Sequence, residues 1–345
     1  MQSILMDFKL WSSLTLIWIM LSCNQTPTKG KNLQGFALGT SYNIQYLSSA
    51  SEQEVQKGID SLFYVLNKSL STYLPQSDIS MINRGDTTVV VDYHFKVVFE
   101  KATEVWKATE GYFDPTVGAL VNAYGFGPEM AVEKITPQQK DSLLTLTGWE
   151  KIKLRKDGIL KKESPDIYID FNALAKGYVV DVVGFFLREL GSVDYMVEIG
   201  GEIFASGKSP KTQESWKIAI DDPRQLEQRQ FIQTIFLRDQ ALASSGNYRK
   251  YKLDPATGER YVHSINPHTG AAQKTNILST SVKAPDCLTA DAWATALMVM
   301  PLEMGEELIE NNPHLEALWT VADKNKFILV TSKTVSYTHL TLPTT

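Results

Sequence analysis

SVKAPDCLTADAWATALMVM, residues 281–300, ends in a run in which Asp291 and Thr295 stand among apolar residues. A spacing of four residues places this carboxylate and this hydroxyl one above the other on a helix face. A buried carboxylate is costly unless it is paired or binds a cation, and these two groups suit a hard ion such as Mg²⁺. In the simpler interpretation Asp291 only complements the helix dipole, with Thr289 as the N-cap. The pair by itself favours the simpler interpretation.

Several other segments carry features typical of phosphate binding. IYIDFNALAKGYVVDVVGFFLREL (167–190) predicts a short strand, a tight turn and an amphipathic helix whose first turn presents free amides beside Lys176. YMVEIGGEIFASGK (195–208) predicts a strand that ends at Gly200 and Gly201, where the backbone can approach a ligand closely. Two further segments predict strand ends followed by turns: ALASSGNYRKY (241–251) and YVHSINPHTG (261–270). Their co-occurrence indicates an anion site, although each alone is weak.

Eight motifs stand in one order along the chain. They are LGTSY (38–42), STYLPQSDISMIN (71–83), GYFDPTVGALVNAYGFG (111–127), DFNALAKGYVVD (170–181), EIGGEIFASG (198–207), SSGNY (244–248), HSINPHTG (263–270) and ADAWAT (290–295). In these motifs the chain resembles the ApbE family, the FAD:protein FMN transferases, from about Gly35 to Ser332. The resemblance implies an α+β fold of the ApbE-like, T-fold-related kind, a two-lobed arrangement of mixed or antiparallel sheets with packed helices.

The resemblance also implies a chemistry. Such enzymes use Mg²⁺ and FAD, cleave the pyrophosphate, and transfer FMN to a threonine hydroxyl of a partner protein as a phosphoester, releasing AMP. The partners it implies are flavin-carrying subunits of electron-transfer or ion-pumping complexes outside the cytoplasm, with an Asp-Gly-x-Thr/Ser-Gly-Ala/Ser-Thr motif. Two alternatives stay open at this point: an FAD pyrophosphatase that gives FMN and AMP, and a lipoprotein that binds FAD without catalysis.

The resemblance assigns roles to individual positions. Asp291 and Thr295 match the metal ligands, and Ala173 matches a third metal-binding position through its backbone carbonyl. His263 is the predicted proton-transfer residue, because an imidazole with an ordinary pKa near ~6.5 accepts a proton at neutral pH; the alternative is a structural histidine bonded to a carbonyl. The positions that match FAD contacts are Leu38, Tyr73, Tyr112, Phe113, Asp114, Asp170, Lys176 and Ile265.

Composition predicts a globular enzyme and argues against a nucleic-acid partner. The 345 residues are 43% hydrophobic and 21% charged, with a formal net charge of -5 and no basic cluster. Cys287 has no second thiol to pair with outside the amino-terminal segment, so no internal disulfide is expected.

The amino end predicts export and lipid anchoring. Residues 1–22 read as a lipoprotein signal peptide, because Lys9 precedes about a dozen apolar residues that end in Met-Leu-Ser-Cys at Cys23. Cys23 is the predicted lipidation site, and residues 23–33 form a flexible tether. The flavin transferase domain is expected over 34–333, with a non-native-looking, disordered tail at 334–345. The predicted location is the periplasmic face of the bacterial inner membrane.

The periodicity of apolar residues predicts the main elements. Helices are expected at 52–70, 93–110, 137–147, 174–190 and 289–311. Alternating strands include single segments at 35–47, 87–91 and 166–170.

Overall fold

The computed structural model describes residues 30–132, 135–224, 230–247, 251–253, 260–272, 275–323 and 326–332. The predicted signal peptide, the lipidation site Cys23 and the tail 334–345 lie outside these residues. Residues 30–33, which the sequence analysis assigned to the tether, belong instead to the first strand of the sheet, because that strand pairs along its whole length with the next one.

Antiparallel strands form the centre of the molecule, which agrees with the predicted α+β class. Over the described residues the strands are β1 (Gly30–Ala37), β2 (Thr40–Leu47), β3 (Ile152–Leu154), β4 (Leu160–Lys162), β5 (Tyr195–Ile199), β6 (Glu202–Ser206), β7 (Trp216–Asp221), β8 (Phe231–Leu237), β9 (Gln240–Gly246), β10 (Tyr251–Leu253), β11 (Arg260–Val262), β12 (Ile277–Ala284), β13 (Glu316–Asp323) and β14 (Lys326–Thr331). Eight of them form one sheet in the order β1-β2-β5-β6-β9-β12-β13-β14, and the others pair as β3-β4, β7-β8 and β10-β11.

Helices cover this sheet. They are α1 (Glu52–Leu70), α2 (Asp78–Asn83), α3 (Tyr93–Ala108), α4 (Gly118–Ala123), α5 (Pro137–Leu144), α6 (Ala175–Glu189), α7 (Cys287–Leu297) and α8 (Leu302–Glu310). The bounds of α1 are those predicted, since its apolar residues keep a helical spacing and Ser51 accepts a hydrogen bond from the Glu54 amide as its N-cap. The helix predicted over 289–311 is two helices, because Pro301 interrupts the run and becomes the N-cap of α8.

Three of the predicted strands are wrong in detail. The segment 87–91 forms no strand and contributes only an isolated bridge between Val90 and Ile159. The segment 35–47 is a hairpin and not one strand, because Leu38 and Gly39 have φ of 55° and 74° and form the turn between β1 and β2. Positive φ at both central residues is typical of the tight hairpin turn whose twist matches the strands. The segment 166–170 forms no strand, since a side chain, that of Asn83, pairs with the backbone of Ile169 where a neighbouring strand would be needed.

The sheet has a hydrophobic core on each face. On β5, Tyr195 and Val197 belong to the large core under the helices, whereas Met196 between them belongs to a second core. Successive strand residues point to opposite faces, so the two cores lie on opposite sides of the sheet. The β7-β8 hairpin closes the second core through Trp216 and Ile218.

Among the described residues no helix combines the length and the apolar composition that crossing a membrane requires.

Candidate active site

The site forms where α6 begins against the middle of α7. Gly177, in the first turn of α6, donates its N–H to Asp291 Oδ2 at 2.9 Å. A Cβ at this glycine would lie 2.2 Å from the Cys287 carbonyl oxygen and 2.9 Å from the Asp291 Cβ. The absence of a side chain is therefore what allows the two helices to approach closely enough for the carboxylate to reach the N-terminus of α6.

Asp291 is 3% exposed, and its nearest cation is Lys176. The Lys176 Nζ lies 3.8 Å from Asp291 Oδ2 but only 2.7 Å from Glu202 Oε1, so its hydrogen bond goes to the glutamate. Burial raises the pKa of Asp291, and the Lys176 ammonium opposes this shift. Although burial acts in the other direction, the two carboxylates raise the pKa of Lys176. The two buried carboxylates therefore keep the partly exposed Lys176 charged at neutral pH.

Two neutral oxygens complete the group that the sequence analysis assigned to a metal. The Thr295 Oγ1 lies 3.4 Å from the Ala173 carbonyl oxygen and 3.4 Å from the Ser245 Oγ. The described residues donate no hydrogen bond to the second oxygen of Asp291. Carboxylate, hydroxyl and carbonyl oxygens are the donors that Mg²⁺ prefers, so the residues present fit the ion that the fold family implies.

Polar side chains hold the backbone of the segment that leads to Ala173. Asn83, the last residue of α2, both donates to the Ile169 carbonyl at 2.8 Å and accepts from the Ile169 N–H at 2.9 Å. The Lys162 ammonium donates to the carbonyls of Pro165 and Ile167 at 2.7 and 2.8 Å. Asp170 Oδ1 then accepts from the Asn172 N–H at 2.8 Å, which turns the chain towards α6. The segment that leads to Ala173 is thus held by neighbouring side chains and by one that is far away in sequence, Asn83.

The predicted FAD-contact residues lie in several parts of the structure. Tyr73 is 56% exposed, and the partial burial of its side chain, followed by the Asp170 carboxylate, raises the pKa of its hydroxyl. Tyr112 packs edge-on against His268, with ring centroids 4.6 Å apart. Leu38 lies in the turn between β1 and β2. Two residues further along the chain, the Thr40 side chain lies close to Gly200.

Three other predicted contacts are buried in internal structure. Phe113 is 2% exposed and Ile265 is 5% exposed. Asp114 caps the short 3-10 helix that follows it by accepting from the Thr116 N–H at 2.8 Å, and its second oxygen accepts from the Trp149 N–H at 2.9 Å. These contacts give Asp114 a structural role, and burial raises its pKa.

His263 is half-buried and directly follows β11, which is not part of α6 or α7. Its ring lies edge-on to Phe126, with centroids 6.3 Å apart. The following turn is organised by Asn266, whose Oδ1 accepts from the His268 N–H at 2.9 Å. The Asn266 side chain therefore supplies the acceptor that the turn after His263 needs.

Two acidic residues of the site were not predicted from the sequence. Glu202 begins β6 directly after Gly200 and Gly201, and its side chain is buried against Lys176. Asp181 lies on α6 and accepts from the Cys287 and Leu288 amides, both at 2.8 Å, at the start of α7. The available signal was an acidic residue inside an otherwise apolar segment, which is the pattern that had drawn attention to Asp291.

Replacing Asp181 by asparagine is expected to change how stability depends on pH. Burial raises the pKa of Asp181 to about 7, although its two amide donors oppose this and Asp286 and Asp291 support it. The folded protein therefore binds more protons than the unfolded chain between its ordinary pKa and pH 7, so the free energy of unfolding falls as pH rises through this window. In Asp181→Asn this fall in the free energy of unfolding, which amounts to about 4 kcal/mol at most, is expected to be absent.

Urea unfolding of the EDTA-treated protein at several pH values from 4 to 8 measures this difference. Asp92→Asn is the matched control, since Asp92 caps α3 through the Phe95 N–H, asparagine caps equally well, and Asp92 is not among the groups that shift the pKa of Asp181. Parallel stability curves for Asp181→Asn and the unchanged protein would contradict the expected linkage.

An antiparallel α+β fold that brings oxygen ligands and a lysine to a helix N-terminus is typical of proteins that bind phosphate groups together with a divalent cation. The ApbE family model matches residues 38–319, and the chain belongs to this family. It is 34% identical to the FAD:protein FMN transferase of Haemophilus influenzae, with 91% of this chain and 93% of the relative covered. It is 36% identical to the enzyme of that name from Vibrio cholerae, with 85% and 88% covered.

The fold agrees with this assignment. The solved structure of the flavin transferase ApbE from Vibrio cholerae superposes with a TM-score of 0.80 at 35% identity, and covers 89% of this chain and 98% of that chain. The predicted family and the predicted fold class are both confirmed.

Proposed function

We propose that this protein transfers FMN from FAD to the hydroxyl of a threonine in a partner protein and releases AMP. The observation that carries the proposal is the meeting of Asp291, Thr295 and the Ala173 carbonyl at the N-terminus of α6, beside Lys176. The names of the relatives support the same reaction. The acceptor hydroxyl forms a new bond to the phosphorus on the FMN side, and the bond from that phosphorus to the AMP phosphate breaks.

Asp291, Thr295 and the Ala173 carbonyl are the residues that would hold Mg²⁺. When bound, the ion neutralises charge on the phosphate oxygens and so lowers the barrier to phosphoryl transfer. The arrangement contains hard oxygen ligands only, and among the described residues no cluster of three or more histidine, cysteine or acidic side chains offers a competing metal site.

The chain's own groups bind and orient the substrate. The N-terminus of α6 and the Lys176 ammonium supply positive charge for the diphosphate. Tyr73 is exposed and the Asp170 carboxylate acts on its hydroxyl, and an aromatic ring and a carboxylate suit the rings and hydroxyls of FAD. His263 takes the proton of the incoming hydroxyl, and the negative charge of the departing AMP phosphate remains on AMP.

We propose further that the protein is exported and anchored by lipid on Cys23, so that it acts on flavin-carrying subunits outside the cytoplasm. The apolar segment that ends in Met-Leu-Ser-Cys supports this location. Mass spectrometry of the protein from membranes is expected to find diacylglycerol on Cys23 as the first residue. An unprocessed amino terminus would contradict it.

Incubation with FAD, Mg²⁺ and a test protein bearing the Asp-Gly-x-Thr/Ser-Gly-Ala/Ser-Thr motif tests the reaction. The expected result is flavin fluorescence on the denatured test protein, with the mass of FMN added and one AMP released per label. A test protein whose acceptor threonine is replaced by valine is the matched control and should stay unlabelled. FMN and AMP without labelling would replace the proposal by FAD hydrolysis, and intact FAD would replace it by flavin binding.

A further inference from the structure

Glu202 is a buried carboxylate for which the reaction as described has no use. It is 2% exposed, and its Oε1 bonds the Lys176 ammonium at 2.7 Å. Its Oε2 is buried and has no hydrogen-bond partner among the residues that the structure describes. A buried carboxylate oxygen without a partner costs free energy, so a residue that served packing alone would be expected to be neutral or fully paired.

The two distances from Lys176 suggest what this residue does. The ammonium nitrogen lies 2.7 Å from Glu202 Oε1 and 3.8 Å from Asp291 Oδ2, so it is 1.1 Å nearer to the glutamate. If the ammonium bonded Asp291 directly, it would occupy the carboxylate that a cation needs, because a lysine and a metal ion compete for the same lone pairs. The short bond to Glu202 prevents this.

We propose that Glu202 is a positioning residue that holds Lys176 away from Asp291 and thereby keeps the Asp291 carboxylate available to a divalent cation. Its place in the chain supports the geometry. The Gly200 and Gly201 turn, with φ of 65° and 105°, starts β6 so that the first side chain of this strand points at the α6 N-terminus. This inference rests on the cation site of the proposed function.

A simple charge effect has to be separated from this positioning effect. Any negative charge near the site attracts Mg²⁺, so Glu202→Gln would weaken Mg²⁺ binding under either explanation. Glu202→Asp separates the two, because it keeps the charge but is one methylene shorter and cannot hold the ammonium at the same place. Positioning predicts about tenfold weaker Mg²⁺ binding for both variants, whereas a pure charge effect predicts it for Glu202→Gln alone.

The measurement is calorimetric titration of Mg²⁺ alone into the EDTA-treated full-length protein, without FAD. Glu316→Asp is the matched control, since Glu316 pairs with Lys283 between neighbouring strands of the same sheet. It should bind Mg²⁺ as the unchanged protein does. Unfolding curves of each variant show whether the fold is retained.

A double-mutant cycle with Lys176→Met gives an independent answer and decides in place of Glu202→Asp if that variant does not fold. Under the positioning explanation Glu202→Gln weakens Mg²⁺ binding when Lys176 is present and changes it less than about threefold when it is absent. Equal effects in both backgrounds would overturn the inference. If the unchanged protein itself bound no Mg²⁺, the proposed cation site would fail, and this role of Glu202 with it. If the unchanged protein bound Mg²⁺ and the Glu202 variants bound it equally well, only the inference about Glu202 would be overturned.

Discussion

Replacement of Asp291 by asparagine is expected to lower the Mg²⁺-dependent turnover of FAD by at least about 10³-fold. Asparagine keeps the shape of the side chain and one acceptor for the Gly177 N–H, but removes the charge that would bind the cation. The loss therefore falls on cation binding and phosphoryl transfer and not on packing.

The stability of this variant separates loss of function from loss of fold. Burial raises the pKa of Asp291, which means that the folded protein disfavours its charged form. A neutral side chain at this position is therefore expected to leave the metal-free protein as stable as before, or more stable, at pH 8. Urea unfolding in EDTA measures this.

Asp286→Asn is the control that matches this substitution in chemistry and place. It makes the same change at the N-cap of the same helix, where asparagine still accepts from the Thr289 N–H. FAD turnover should stay within about threefold of the unchanged protein. Full activity of Asp291→Asn would remove Asp291 from the cation site, and equal losses in both variants would indicate damage to α7 instead.

The pair Asp291 and Thr295 could be predicted because both the helical spacing and the burial of the helix are local properties of the sequence. The turn at Asn172 and Ala173 was predictable for the same reason, since it lies between an apolar segment and a helix. What the chain alone could not give is which atoms meet across long sequence separations. Asn83 positions Ile169, and Glu202 holds Lys176, through contacts between elements that lie far apart in the sequence.

The errors of the sequence analysis have physical causes of the same kind. An alternating pattern continues through the turn at Leu38 because a two-residue hairpin loop keeps the register of both strands, so 35–47 looked like one strand. The Asp114 carboxylate serves as a cap and as a bridge to Trp149, and the contact of this position with FAD stays a prediction. A motif gives the residues, and only the packing tells which of them face the ligand.

The second large effect is expected for Gly177→Ala, which should lower the free energy of unfolding by about 3 kcal/mol. Helix propensity alone predicts the opposite, because alanine is favoured over glycine inside a helix by about 1 kcal/mol. The added Cβ would lie 2.2 Å from the Cys287 carbonyl oxygen, which is backbone and cannot move without displacing α7. The helices must therefore separate.

Moving the helices apart also disturbs the site, because the Gly177 N–H donates the hydrogen bond that orients Asp291. Mg²⁺ binding by the folded fraction is expected to weaken about tenfold or more, in parallel with the loss of stability. Gly184→Ala is the control on the same helix, where the nearest atoms belong to the Tyr195 ring at 3.1 and 3.2 Å and a side chain can yield by a few tenths of an ångström.

Urea unfolding and Mg²⁺ titration of the two glycine variants decide whether the helix crossing shapes the site. We expect Gly184→Ala to stay within about 1 kcal/mol of the unchanged protein, since its gain in helix propensity offsets the adjustment of the ring. A Gly177→Ala protein that was stable and bound Mg²⁺ normally would mean that α6 and α7 need not approach this closely. The carboxylate of Asp291 would then depend on Lys176 and Glu202 for its position, and not on the N-terminus of α6.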